Sequence, residues 1–407
     1  MASPPPPCPD APAAPQAPLL PDHLTEDILL RLRTAADLAS ASVAGPSLRR
    51  IVADHSFLRR FRALHPPPLL GILSARFFPA EAPHPSAAAA QTLVGTDFSC
   101  SFLPSREQRW RRCDFRDGRA LLCVHTDGRA MVRDVAVCDP LHRRYILLPP
   151  VPQDLSDLVN HLDPFLAPAV RDEGADTAAD APFRFRVMCL AKCQTNLVLY
   201  VYSSSGPHAG QWRTVTFDGW TALLAGASDH AQSSAAFGKC YYAHGSFCWA
   251  ICAINKLLLL DTASMEFSSV NLHPDLMNHE VAFVEASEGR LGMFALSQLP
   301  IHFVPRLRYS ILVTTGDDPG QWQKKKGVTL SHDYCYQIVG VAGGYLLLYV
   351  VTDDPDSFPP NKVPDAGCFS LNLRTMDLER FSRGRDIISA RNQLYSGFPP
   401  YLSPPTI

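Results

Sequence analysis

Apolar residues recur at helical spacing near the start of the chain, between Leu20 and Leu64. Leu24, Ile28, Leu29 and Leu32 gather on one face of a helix that opens at Pro21, leaving Glu26, Asp27 and Arg31 for water. Proline suits that first turn because an N–H there would have no helical partner. A second helix is expected from Thr34, whose hydroxyl can cap it while Asp37 answers the positive helix end; its apolar side is Leu38, Ala41 and Val43. Gly45-Pro46-Ser47 interrupts the pattern, and Leu48, Ile51 and Val52 resume it beside Arg49 and Arg50. A last short helix, capped by Ser56, carries Phe57, Leu58, Phe61 and Leu64, and the prolines after His65 end it. So small a unit cannot hide all these side chains internally. Periodicity alone leaves open whether the leucine face packs on the rest of the chain or on a partner.

Beyond Pro68 the helical period gives way to short β-type runs bounded by Gly, Asp, Asn and Pro, at 120–124, 145–148, 185–189, 197–202, 257–260, 309–314, 345–351 and 368–373. Many short strands without amphipathic helices between them predict an all-β domain. Leu260-Asp261-Thr262-Ala263-Ser264-Met265-Glu266-Phe267 returns about 110 residues later as Leu371-Asn372-Leu373-Arg374-Thr375-Met376-Asp377-Leu378, with a looser copy at 138–145. Each reads as a strand, a turn led by Asp or Asn, and a strand; the short polar side chain holds the turn by bonding its own backbone. A second hairpin type carries Gly210-Gln211-Trp212-Arg213 and again Gly320-Gln321-Trp322-Gln323. The two types alternate, mostly at steps of roughly 50 to 70 residues, close to the ~50-residue period of a kelch blade. The stretch from 100 to 398 then holds about six blades of a β-propeller. Trp212, Trp220, Trp249 and Trp322 are expected in blade cores.

Composition narrows the class. The length of 407 residues allows roughly two to three domains, and a hydrophobic fraction of 46% supports a sizeable core. A net charge of -2 carries no electrostatic footprint for nucleic acid or an anionic membrane. The first 18 residues hold eight prolines and no basic or apolar leader, which predicts a disordered tail. No run is apolar enough to span a bilayer. Twelve cysteines without a secretion signal read as reduced thiols, placing the protein in the cytosol or nucleus.

The first unit resembles an F-box. Leu20-Pro21, Leu24, Ile28-Leu29 and Arg31-Leu32 stand where that family has its opening Leu-Pro and its Ile-Leu-x-Arg-Leu run, and Ser56-Phe57-Leu58-Arg59-Arg60-Phe61-Arg62 is similar to the module's end in plant members. The runs Arg60–Gly71, Glu288–Phe294 and Ser403–Ile407 are similar to one grass subfamily that pairs the F-box with a degenerate kelch-like propeller; Gly343-Gly344-Tyr345 is similar to the kelch double glycine. The resemblance implies a small all-α F-box module at 19–65, a linker and first strand at 66–99, a propeller at 100–398 and a tail at 399–407. It implies docking on a Skp-type adaptor, and through it a cullin, by Leu20, Pro21, Leu24, Ile28, Leu29, Leu32, Leu38, Val43 and Leu48, while the propeller binds the protein to be ubiquitinated. Arg33, Gly45-Pro46 and Leu48 depart from the family pattern, which usually has a proline, a Cys-Lys or Cys-Arg pair and a tryptophan there; these changes bear on adaptor affinity.

Candidate chemistry is sparse. Cys189 with Cys193, and Cys248 with Cys252 near His244, are the best metal candidates, yet their spacing and strand settings fit core thiols better, so no metal or other cofactor is expected. Cys240 and His244 make an improbable nucleophile and base, and no nucleophile motif or phosphate loop is present. Lys324-Lys325-Lys326 reads as a solvated strand edge. The stretch 152–182, with Asp154, Asp157, Asp163, Asp172, Glu173, Asp176 and Asp180 against Arg171, reads as a solvated insertion, or as an acidic lip for a basic partner. Three functions follow: a non-catalytic receptor of a cullin ubiquitin ligase, monomeric within the complex; a propeller interaction protein whose altered F-box no longer recruits a ligase; and, disfavoured by the missing motifs, a propeller enzyme.

Overall fold

The computed structural model describes residues 20–32, 35–65, 67–74, 76–104, 110–125, 132–152, 159–168, 184–193, 196–225, 237–273, 276, 279–297, 304–313, 320–332, 334–351, 367–383, 392–400, 403 and 405–407. The expected tail at 1–18, the expected cap Thr34, Arg33 and all the acidic residues of 152–182 except Asp163 lie outside the described residues. The chain forms two units, Met1–His65 and Pro66–Ile407.

The first unit is four helices, α1 (Asp22–Leu30), α2 (Ala35–Val43), α3 (Pro46–Ala53) and α4 (His55–Leu64). Its buried side chains include Leu29, Leu30, Leu38, Ile51, Val52, Phe57 and Phe61. Arg60 ties α4 to Glu26 on α1 at 2.8 Å, and Arg50 ties α3 to Asp22 at 2.6 Å. Pro46 and Ser47, read in the sequence as an interruption, are instead the first residues of α3, where proline's missing N–H has no helical partner to lose. The cap of α4 differs from expectation: Asp54, not Ser56, holds it, its Oδ1 accepting from the backbone N–H groups of Ser56 at 2.8 Å and Phe57 at 3.0 Å. A carboxylate two residues upstream brings charge as well as an acceptor to the positive helix end, which a hydroxyl cannot match.

The described strands of the second unit form six antiparallel sheets arranged as a six-blade β-propeller. Blade one is β3 (Arg111–Arg116), β4 (Arg119–His125), β5 (Val132–Asp139) and β6 (Arg144–Leu147); blade two is β7 (Val159–Ala167), β8 (Arg186–Cys193), β9 (Leu197–Ser203) and β10 (Trp212–Phe217). Blade three is β11 (Tyr241–Ala243), β12 (Ser246–Ile251), β13 (Lys256–Asp261) and β14 (Phe267–Asn271). Blade four is β15 (Glu280–Glu285), β16 (Leu291–Ser297) and β17 (Arg306–Leu312), edged by β18 (Trp322–Lys324) and β19 (Val328–Thr329). Blade five is β20 (Cys335–Ala342), β21 (Tyr345–Val351), β22 (Cys368–Asn372) and β23 (Leu378–Ser382). The sixth sheet joins the two ends of the domain, in the order β2 (Phe77–Pro79), β1 (Leu69–Leu73), β24 (Gln393–Ser396). Residues 69–79, read in the sequence as linker and first strand, are therefore the outer two strands of the blade that closes the ring.

The sequence echoes are one structural feature repeated. Asp139, Asp261 and Asn372 each end the third strand of blades one, three and five. Each Oδ1 accepts from the two backbone N–H groups at positions +2 and +3, at 3.1 and 3.1 Å, 2.9 and 2.7 Å, and 2.9 and 3.2 Å. The residue four beyond, Arg143, Met265 or Met376, takes a left-handed φ of 53°, 60° or 64°. Trp212 and Trp322 instead start the fourth strands of blades two and four. Their ring N–H groups donate to the carbonyls of Pro149 and Asn271, next to or at the end of the blade before, at 2.8 and 3.0 Å. These two tryptophans are half-buried staples between blades, whereas Trp220 and Trp249 are core as expected.

Hydrophobic clusters fill the spaces between neighbouring blades, so a middle strand such as β8 or β9 is buried on both faces and reads as an apolar run instead of an alternation. The last described residues are held by blade one: Thr406 donates from both its N–H and its hydroxyl to the buried Asp139, and its carbonyl accepts two bonds from Arg119. Ile407 is buried in the cluster between blades one and two.

Candidate functional site

Two places concentrate the features that can act on other molecules. The first is the helical unit. Leu20 precedes α1, and Leu24 and Ile28 follow at one-turn spacing; all three stand in solvent, at 57%, 42% and 52% exposure, as does Val43 at the end of α2 with 73%. Pro21 is exposed, and Leu32 and Leu48 are half-buried. Leu29 and Leu38, expected on the same docking face, are instead buried. The nine residues thus split into five that are exposed, two that are half-buried and a buried pair that holds the helices together.

The second place is the propeller's axis. The first strands of the blades lie innermost: β24 meets β3, β3 meets β7, β11 meets β15, β15 meets β20, and β20 meets β24. Charged side chains project from this ring. Asp114 on β3 accepts from the Leu166 N–H of β7 at 2.8 Å. Arg112 on β3 reaches the other way, to Gln393 Oε1 of β24 at 2.8 Å. Glu280 of β15 accepts from Ile338 N of β20 at 2.6 Å. Lys239, just before β11, donates to the carbonyl of Val339 on β20 and to that of Asn392 at 3.3 Å, so it spans from blade three to blade five and the closing blade. Its side chain is solvent-accessible yet enclosed by protein, as befits a group in an internal channel, and burial lowers its pKa against the attraction of Asp114 and Glu280.

Asp163 completes this hub. The stretch around it was read as a solvated insertion, but 159–167 is the inner strand β7. Pro164 hid it; a proline is tolerated here because β7 is an edge strand, paired only with β8. Burial pushes the Asp163 carboxyl up to about 7, with Asp114 adding to the effect. Sequence reasoning missed the hub because its members lie on different blades, although the charged pattern Arg111-Arg112-Cys113-Asp114-Phe115-Arg116 in a strand is a signal of a polar interior.

The cysteine candidates fare differently. Cys189 and Cys193 lie on β8, and Cys248 on β12, where burial pushes its thiol up to about 12. Cys240 and His244 flank β11 at opposite ends, roughly 13 Å apart along an extended strand, and do not meet. Among the described residues no three His, Cys, Asp or Glu side chains converge as metal ligands. No described helix is long and apolar enough to cross a membrane.

No family model matches the chain, and no curated protein matches it. Among solved structures it is similar to an oligogalacturonate lyase in complex with manganese, with 9% identity and a TM-score of 0.33 over 65% of this chain and 62% of that one. It is also similar to apo AztD from Citrobacter koseri, with 13% identity and a TM-score of 0.35 over 71% of this chain and 76% of that one. The chain spans less than two thirds of the lyase's length. Likenesses this distant transfer neither an activity nor a ligand.

Proposed function

We propose that this chain is a substrate-recruiting subunit of a cullin ubiquitin ligase, acting in the cytosol or nucleus, with the helical unit docking on a Skp-type adaptor and the propeller capturing the target. The observation that carries this reading is the exposed row of Leu20, Leu24 and Ile28. Large apolar side chains standing in water at one-turn spacing are the surface a partner would cover. Co-purification of the full chain with a Skp-type adaptor tests it. A wild-type chain that captures no adaptor would leave the interaction protein with an altered F-box in its place.

A catalytic propeller is the second reading, and one observation favours it: a carboxyl held near neutrality, Asp163, beside a second carboxylate, Asp114, on the channel. Against it, Asp114, Glu280 and Lys239 are committed to backbone partners that tie one blade to another. That pattern serves the ring's closure first.

A further inference from the structure

We propose that blade four carries a binding pocket for an acidic peptide segment with an apolar anchor residue. This rests on the reading of the propeller as the target-capturing unit and gives that unit a recognition chemistry.

The pocket comes from a break in the sheet. In the other four-stranded blades one strand lies along the third, but here β18 covers 310–312 and β19 covers 306–307, with Lys325, Lys326 and Gly327 bulging between them. Lys325 N–H still donates to Tyr309 O at 2.8 Å. Gly327 is pressed against the Leu307 carbonyl so closely that a Cβ would collide with it, which fixes the far end of the bulge. Arg308, paired with Ala295 on its inner side, is left without a residue opposite it on this outer edge. The gap opens into a cavity of about 420 Å³, within the range of sites that hold small molecules or single side chains with their flanks.

Its lining has two parts. Leu276, Met293, Ala295 and Leu307, all buried, form an apolar floor, and Trp322 forms a wall held in place by its bond to Asn271 O. Around the mouth stand Arg306, Lys324 and Lys325, exposed, and Arg308, half-buried, whose Nη2 donates to His279 Nε2 at 3.0 Å while its Nε has no hydrogen-bond partner among the described residues. The described lining contains no carboxylate. Four cations over an apolar floor, on a chain whose net charge is -2, concentrate positive potential in one place. A bare anion would satisfy the rim and leave the floor empty, and an apolar ligand would do the reverse. An acidic segment with a central Leu or Phe fits both, and Lys324 and Lys325 become part of a site instead of a solvated edge.

The test uses a fluorescein-labelled peptide, Asp-Glu-Asp-Phe-Leu-Asp-Glu, titrated with the full chain and followed by anisotropy and by the tryptophan fluorescence that Trp322→Phe removes. We expect binding that weakens with salt, falls about tenfold in K324E/K325E, and falls similarly when the central Phe-Leu is replaced by Ala-Ala. R306S, a milder change at the rim, should weaken it less while leaving the melting temperature unchanged. Equal binding of the Asn/Gln analogue, indifference to the rim variants or to loss of Phe-Leu, or tighter binding of an oligouridine would each overturn the assignment. Ile28→Asp should leave peptide binding intact, so failure of this site and failure of adaptor docking are separately visible.

Discussion

In the helical unit Leu20, Leu24, Ile28 and Val43 stand in water, whereas in the propeller strands such as β8, β9 and β12 are buried along nearly their whole length. The difference follows from how each architecture treats its surplus surface. A ring of sheets covers each blade with the next, and pairing β1 with β24 joins the last blade to the first. Four short helices have no such return, and their outer face stays apolar. One unit covers its own apolar surface, and the other leaves part of it in water. Ile28→Asp is the sharpest way to break this contrast. A charge placed in an apolar contact should weaken adaptor capture by about 3 kcal/mol or more, over a hundredfold in Kd, while the melting temperature of the chain holds because Ile28 packs on little. Unchanged co-purification would mean that the exposed row is not the docking face.

The propeller's completeness should show as intolerance at its closures. Asp139, Asp261 and Asn372 hold the same turn, but Asp139 is buried and also accepts from Thr406 N–H at 2.7 Å and Thr406 Oγ1 at 3.0 Å, whereas Asp261 is exposed. Asp139→Ala strands these donors and frees the tail, at about 2–4 kcal/mol by urea unfolding; Asp261→Ala should cost only about 0.5–1.5 kcal/mol. Equal costs at the two sites would show that the tail adds nothing to the ring.

The same contrast explains what could be read from the chain. The hairpin echoes at 139, 212, 261, 322 and 372 mark the last hairpins of five successive blades, because a turn that needs Asp, Asn or Gly at fixed offsets leaves a local trace. All eight expected β runs overlap described strands for the same local reason. The sixth blade left none, since it is assembled from residues far apart in sequence, Leu69–Leu73 and Gln393–Ser396. The helical face was legible as a face, but not which of its leucines look outward: Leu24 and Leu29 share one helix and differ in burial because α3 and α4 cover only one side of α1. The axial hub was illegible because its contacts are made between blades.

The hub offers a prediction with a pH signature. An ordinary carboxyl in the unfolded chain titrates near pH 4, and burial pushes Asp163 in the fold up to about 7. Between those values the folded state holds a proton that the unfolded state has lost, so this group's contribution to stability falls as pH rises through the window. Asp163→Asn should therefore be nearly neutral below about pH 4 and stabilising by about 1–3 kcal/mol at pH 8, read from denaturant midpoints. A mutant that parallels the wild type across this range would place Asp163 in open solvent and remove the one observation that favours a catalytic channel.

Leu48 returns the comparison to the helical unit, on a finer scale. It is half-buried on α3, neither in the core with Ile51 and Val52 nor in water with Val43, and it stands where the family resemblance puts a tryptophan. Leu48→Trp adds aromatic surface that either reaches the adaptor or crowds its neighbours. If the position borders the docking face, the larger ring should tighten adaptor binding by about 1 kcal/mol, several-fold in Kd, with little change in melting temperature. If it is already enclosed, overpacking should lower stability by roughly 1–3 kcal/mol and leave affinity unimproved. We expect the first result, because a half-buried side chain has room on its open side. Isothermal titration and a thermal melt on the same sample separate the two outcomes, and no change in either would set Leu48 apart from the interface and confine docking to α1 and the end of α2.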